Sequence, residues 1–329
     1  MKFPMIVTFI TFGLLVAHAE LANANNDNEL SVYGDVPGLN PSLFYQMKVR
    51  KEGSERYLHP FTFVTECTTE KYCNTTGIFN HLANWSNSYV NFEMQEGIDV
   101  EIVITKLFGD PIQKAVVHPY TASKNCLVKD GKAYVTINKT GLFTVDINGQ
   151  MDDQDTGRLP KNKGYYQGPP IHTLTIFANP FLVNKPSLND EAGVYKVTPG
   201  EDVPSEGSWN TLYFLPGIHD IGVGFQVHSN KTYYIPGDSI VYGTFHNDDA
   251  SDGDHILIYG HGTLSGDRLP HPNYADPSIP DNEFRSIYIK GLSHLKSILL
   301  RKIILLTSSK QPNLRIPNPQ YFVYLLDQQ

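Results

Sequence analysis

Charged side chains are scarce in this chain. They make up 18% of 329 residues, with 26 Lys and Arg against 34 Asp and Glu, for a net charge of −8. Nucleic acid and anionic membrane surfaces are bound chiefly through Lys/Arg clusters, so that balance argues against both and favours a neutral or cationic partner. Cysteines number three, with no Cys-x-x-Cys and no His-x-x-x-His spacing, so no metal site is written in the sequence. A Gly-x-Ser-x-Gly elbow and a phosphate-binding loop are also missing, and nothing points to a cofactor. No apolar run reaches the roughly 20 residues that a bilayer span needs. The sequence is silent on oligomeric state.

What is plentiful is Gly (26), Pro (22), Tyr (19) and Phe (17), a composition of strands joined by many turns. The expectation is an all-β protein with few, short helices. At this length two domains are expected, since single cores stop growing near about 250 residues.

Lys2, the apolar run Met5 to Ala17 and the small-x-small motif Ala17-His18-Ala19 read as a secretory signal peptide cut after Ala19. Export agrees with four Asn-x-Ser/Thr acceptors at Asn74, Asn84, Asn138 and Asn230, expected on surface loops of an extracellular glycoprotein. In an oxidising compartment Cys67 and Cys73, which close the short loop CTTEKYC, are the expected disulfide; Cys126 is then buried and free, or paired with one of the other two.

Period-two alternation recurs in the first half: Val90-Phe92-Met94, Val100-Ile102-Ile104, Val135-Ile137 and Phe143-Val145-Ile147. Asp130-Gly131 is a two-residue hairpin signal, and Gly97 and Gly141 bound neighbouring runs. Short turns between half-buried strands predict an antiparallel β-sandwich over residues 20–182. A Pro-rich stretch, 183–208, reads as a linker.

From Trp209 the texture changes to short runs of Val, Ile, Tyr and Phe stopped by Gly or Pro-Gly, as in LYFLPG, TYYIPGDSIVYGTF and ILIYGHGTLSGD. Coils of a parallel β-helix and a second antiparallel sandwich both produce such a pattern. The alternation in ILIYGHG places Ile256, Ile258 and Gly260 on one face and Leu257, Tyr259 and His261 on the other.

In order and spacing, LTIFANPFL, TPGEDVPSEGSWNTLYFLPGIHDIG, SNKTYYIPGDSIVYGTF and YGHGTLSGD resemble fungal dextranases of glycoside hydrolase family 49 and, more distantly, polygalacturonases. The resemblance is good over about residues 174 to 267. It implies a sandwich followed by a right-handed, pectin-lyase-like parallel β-helix, here residues 209–291, and inverting hydrolysis of a polysaccharide. Inversion needs two carboxyl groups about 6.5 to 9.5 Å apart, and the family supplies them from coils beyond the YGHG segment.

Those coils are not visible here. Residues 292–329 hold no Gly, five Lys/Arg and one acid, in a chain otherwise acidic and punctuated by glycine. Relative to the family the chain reads as C-terminally truncated. Its tail is either the product of a frameshift or intron read-through, or a short form in which ILLRKIILL caps the open end of the helix. The catalytic residues are accordingly unknown, and the expected protein is a secreted family member without its acid pair, or else a non-catalytic secreted carbohydrate-binding protein. A structural ectodomain is the third reading.

One acidic cluster, NDDASDGD at Asn247–Asp254, resembles a catalytic motif of the family but precedes the YGHG coil, whereas in the family it follows. Consecutive Asp248 and Asp249 on an extended strand also face opposite sides. It reads first as a solvated turn, then as a calcium loop, last as catalytic. His261 reads as a hydrogen-bonded structural residue before an acid/base, and Trp209, Tyr233, Tyr234 and Tyr242 as packing residues before sugar-stacking ones.

Overall fold

The structure is a computed structural model that describes residues 28–66, 85–121, 123–149, 171–190, 192–247, 249, 252 and 255–266, plus four short strands further on. The signal peptide, Asn74, Asn84, Cys67, Cys73 and Asp267 lie outside the described residues. Among the described residues every named element is a strand.

Ten strands precede residue 180: β1 (Leu30–Val32), β2 (Tyr45–Lys51), β3 (Thr62–Glu66), β4 (Trp85–Met94), β5 (Val100–Lys106), β6 (Ala115–His118), β7 (Ser123–Lys129), β8 (Lys132–Ile137), β9 (Gly141–Ile147) and β10 (Ile171–Asn179). They form two sheets. One, hereafter the outer sheet, has the order β2-β5-β8-β7; the other has the order β1-β4-β10-β9-β6, with β3 also on β4. The two face each other across one core, in which Met47, Ile102 and Val135 meet Val90, Phe92, Val145 and Ile176. The sequence alternation seen in VEIVI and LFTVDI supplies those inward residues. Asp130 and Gly131 both take positive φ at the β7–β8 turn, the backbone that an Asp-Gly hairpin requires.

Two expectations are corrected here. Pairing is antiparallel except between β4 and β10, which run parallel in register from Trp85↔Ile171 to Glu93↔Asn179. And β4 is not half-buried: from Ser86 to Met94 every residue is buried. The reason is a second layer on the far side of its sheet.

That layer comes from the rest of the chain. Strands β11 (Val194–Val197), β12 (Thr211–Phe214), β14 (Thr232–Ile235), β16 (Leu257–Gly260) and β19 (Leu299–Arg301) pair parallel, each upon the last, as a first ladder. A second ladder stacks β13 (Gly217–Gln226), β15 (Ser239–Asn247), β17 (Thr263–Ser265) and β20 (Ile304–Thr307), also parallel. Strand β18 (Ile287–Ile289) adds to the far half of β15, and β21 (Phe322–Tyr324) runs antiparallel to β20. Leu212, Phe214, Tyr233, Ile235, Val241, Phe245, Ile258 and Leu264 fill the space between the ladders. Each coil buries its apolar side chains on the one before it.

Strand β11 falls inside the stretch expected to be a linker, because VYKV, between Gly193 and Pro199-Gly200, is a short β-forming run with stops at both ends. Backbone of the atypical tail, in β19 and β20, continues both ladders.

The second ladder turns Ile218 and Ile240 onto the far side of the β4 sheet, where they meet Phe61, Phe63, Tyr89 and Phe177. Phe63 and Tyr89 stack with centroids 4.7 Å apart, and Tyr89 donates or accepts a 3.0 Å hydrogen bond with Thr263 Oγ1. The β4 sheet is therefore a wall shared by two cores.

Candidate functional site

At one end of that shared wall the packing turns polar. Glu93, on the ladder-facing side of β4, is 1% exposed, and His261, just past β16, is equally buried. Glu93 Oε1 lies 3.2 Å from His261 Nδ1, and the Tyr33 hydroxyl lies 2.9 Å from the same nitrogen. The second carboxylate oxygen accepts from Lys185 Nζ at 3.0 Å, and Oε1 also accepts from the Leu182 amide at 3.2 Å. Asn179 donates to Asn91 Oδ1 at 2.6 Å, and Asn91 in turn donates to the His261 carbonyl. A buried carboxylate survives only with such partners.

Burial by itself would raise the Glu93 carboxyl, but His261 and then Lys185 outweigh it and lower it to about 2. Glu93 is thus ionised at neutral pH with no proton to give. The Tyr33 hydroxyl is pushed well up, by burial first and by the negative charge of Glu93 second. The cluster fastens the first half of the chain to the ladders, with its carboxylate and imidazole shut away from solvent and Lys185 half-exposed.

Glycines explain how His261 gets there. Gly260 has φ +135°, and a Cβ on it would collide with the Ile235 carbonyl; a Cβ on Gly262 would meet the Ile235 side chain and the Pro236 carbonyl. The Gly-His-Gly triplet lets the backbone press against the preceding coil while the imidazole enters the polar seam. Gly237 does the same for Tyr33, whose ring occupies the place of a Cβ.

Beside this seam runs a row of tyrosines in ladder register, Tyr213↔Tyr234↔Tyr259, with centroids 4.8 and 5.0 Å apart. The segment after β10 lies across them, and Tyr259 donates to the Asn184 carbonyl at 2.6 Å. Burial pushes the Tyr213 hydroxyl up to about 12. The Asp238 carboxyl, in the turn before β15, is also raised by burial, a shift that its own backbone hydrogen bond and then Lys185 temper. Sequence reasoning missed Asp238, Glu93 and Lys185; the Pro-Gly-Asp turn is the only local sign of the first.

The acidic cluster resolves differently. Asp252 accepts from His228 Nδ1 at 2.6 Å and from the Ser229 amide at 2.8 Å, while its carbonyl accepts from Asn247 at 2.5 Å. These contacts tie the turn after β15 to the turn before β14. Burial is the largest single influence and would raise the Asp252 carboxyl, but the His228 and Ser229 hydrogen bonds together outweigh it, so the carboxyl is lowered. Asp249 is exposed, and Asp248 and Asp254 lie outside the described residues.

Of the aromatic candidates, Trp209, Tyr233 and Tyr234 are buried and Tyr242 half-buried. Trp209 packs edge-on against Tyr233, under the Lys231 ammonium. Asn230 is exposed at a positive-φ turn, and Asn138 is half-buried at the end of β8. Cys126, in β7, is free and half-buried, its thiol donating to the Ala115 carbonyl at 3.3 Å.

Comparison with solved structures places this arrangement. Dex49A from Penicillium minioluteum superposes with a TM-score of 0.53 at 17% identity, over 84% of this chain and 54% of its own. The chain has an all-β fold like that of Dex49A and spans about half its length. No protein-family model and no curated protein matches the sequence.

Proposed function

We propose that the chain is a secreted, polysaccharide-directed protein of the inverting, dextranase- or polygalacturonase-like glycoside hydrolase class. In this reading residues 20–182 are the β-sandwich, the ladders are the first coils of a right-handed parallel β-helix, and the leader is removed after Ala19. The observation that carries it is the pair of parallel ladders seated on a two-sheet body, in a chain whose all-β fold is like that of Dex49A.

In this reading the described residues supply scaffold and glycan contact, and no acid pair is found among them. Glu93 is walled in and ion-paired, and Asp252 is tied up by His228 and Ser229. The purified secreted chain should be retarded in native gels cast with dextran, other glucans or pectin, while releasing no reducing ends from any of them. Release of reducing sugar would replace the scaffold reading with an active hydrolase. Free migration through every glycan would end the polysaccharide reading.

A further inference from the structure

The shared wall hides one sheet of the two-sheet body on both faces, but among the described residues no strand layer covers the other face of the outer sheet, where Tyr57 packs over one end. Its other face is set by alternation. Gln46, Lys48 and Arg50 point out from β2; Glu101, Val103 and Thr105 from β5; Lys132, Tyr134 and Thr136 from β8. Register aligns Lys48↔Val103↔Tyr134↔Leu127 in one row and sets Lys132↔Lys129 two residues further along β8 and β7.

The face combines two properties. One is a shallow apolar stripe: Val103 is covered, Tyr134 is half-buried, and Leu127 is 56% exposed. The other is charge. Among the described residues, Lys48, Arg50, Lys129 and Lys132 stand against Asp130, in the turn between the last two, and against the one carboxylate on the face itself, Glu101, a local balance of two positive charges on a chain whose net charge is −8.

That carboxylate is already spent internally. Glu101 Oε1 accepts from Arg50 Nε at 2.8 Å and from the Tyr57 hydroxyl at 2.6 Å, and Arg50 also donates to the Ser54 carbonyl at 3.1 Å. The Lys48 ammonium sits 3.7 Å from the Tyr57 ring centroid and the Arg50 guanidinium carbon 4.4 Å from it. Two cations are therefore held in place at one end of the stripe before any ligand arrives, which lowers the ordering cost of binding. The second pair lies about 7 Å along the strands from Lys48, with Lys132 on β8 about 10 Å across and Lys129 on β7 about 14 Å across.

We propose that the solvent face of the outer sheet binds an extended anionic polysaccharide bearing uronate groups. Sugar rings present an apolar C–H side and a polar rim. The C–H side fits the Tyr134–Leu127 stripe, and carboxylates on the rim meet Lys48 at one end and Lys129 and Lys132 at the other. This assignment rests on the reading of the protein as polysaccharide-directed and names the charge of the glycan that this face takes. The acidic balance of the whole chain, which favours neutral partners, does not hold locally.

Affinity electrophoresis of the secreted chain in alginate and in neutral dextran, at low and high NaCl, tests it. The expected result is stronger retention by alginate that fades as salt screens the contacts. Retention should fall about tenfold or more in the double variant Lys129→Glu/Lys132→Glu and in Tyr134→Ala, and stay unchanged in Lys196→Glu on the first ladder. Should the charge-reversed pair fail to fold, Lys129→Gln/Lys132→Gln supplies the same readout, with circular dichroism as the folding control. Unchanged alginate retention in the face variants, or equal retention by dextran and alginate, overturns the assignment and leaves the polysaccharide reading standing. Wild-type chain held by neither glycan overturns the assignment, and free migration through the other glucans and pectin as well removes the polysaccharide reading with it.

Discussion

Glu93 and His261 stand 168 residues apart in sequence, yet their carboxylate and imidazole meet at 3.2 Å with both side chains shut away from solvent. Glu93→Gln should cost about 1 to 3 kcal/mol at pH 7, because the buried His261 loses its carboxylate partner while the half-exposed Lys185 can turn to solvent. Denaturant titration of the two proteins measures it; a loss below about 1 kcal/mol would mean the pair carries no stability.

The same group fixes an acid response. Its carboxyl is lowered from 4.5 to about 2 on folding, so its contribution is complete above about pH 4.5 and is lost as pH falls towards 2. Stability of the wild type should decline through that window, whereas Glu93→Gln should decline less steeply. Parallel slopes in urea melts from pH 6 to pH 2 would contradict this.

Asp238 should behave with the opposite sign. Burial raises its carboxyl, so the folded state is favoured by its proton at low pH and loses that advantage as pH rises through the folded value. Asp238→Asn is expected to melt higher than wild type at pH 7, with the gain vanishing at low pH. A lower melting temperature at pH 7 would show that the charge is being used.

Gly260→Ala combines a collision with the Ile235 carbonyl and a positive φ, and should destabilise by about 3 kcal/mol or more, read by denaturant titration. Gly237→Ala acts first through Tyr33, whose ring holds the three atoms nearest to the added Cβ. Its cost should largely disappear in a Tyr33→Ala background, a coupling that a double-mutant cycle reads directly.

Asp252→Asn is expected to cost less than about 1 kcal/mol, because the pair with His228 is more than one-third exposed on the Asp side. Thermal melts at pH 7 check this. A larger loss would mean that the turn after β15 is a keystone of the second ladder.

Much of the fold was legible locally. The Asp130-Gly131 hairpin, the inward rows of β5 and β9 and the split of Ile256/Ile258 from Tyr259/His261 follow from turn chemistry and from a period of two, both written within a few residues. Two things were not. Tyr89, Asn91 and Glu93 look like the solvent side of a strand, and only the arrival of Ile240, Thr263 and His261 from far along the chain buries them. The parallel pairing of β4 with β10 likewise joins strands about 80 residues apart, with β5 to β9 placed in between. The order of motifs pointed to the fold; the polar seam, assembled from Tyr33, Glu93, Lys185 and His261, has no signature within any one window.

The doubly covered wall also sets a schedule for biosynthesis. When residue 182 leaves the ribosome the β4 sheet can close on its own core, but Phe63, Tyr89 and Phe177 still face water until β13 and β15 have emerged, some 60 residues later. During that interval the nascent chain presents a flat aromatic surface to its surroundings. A chain halted there carries a chaperone site, and a polypeptide cut between the two halves would keep it for good.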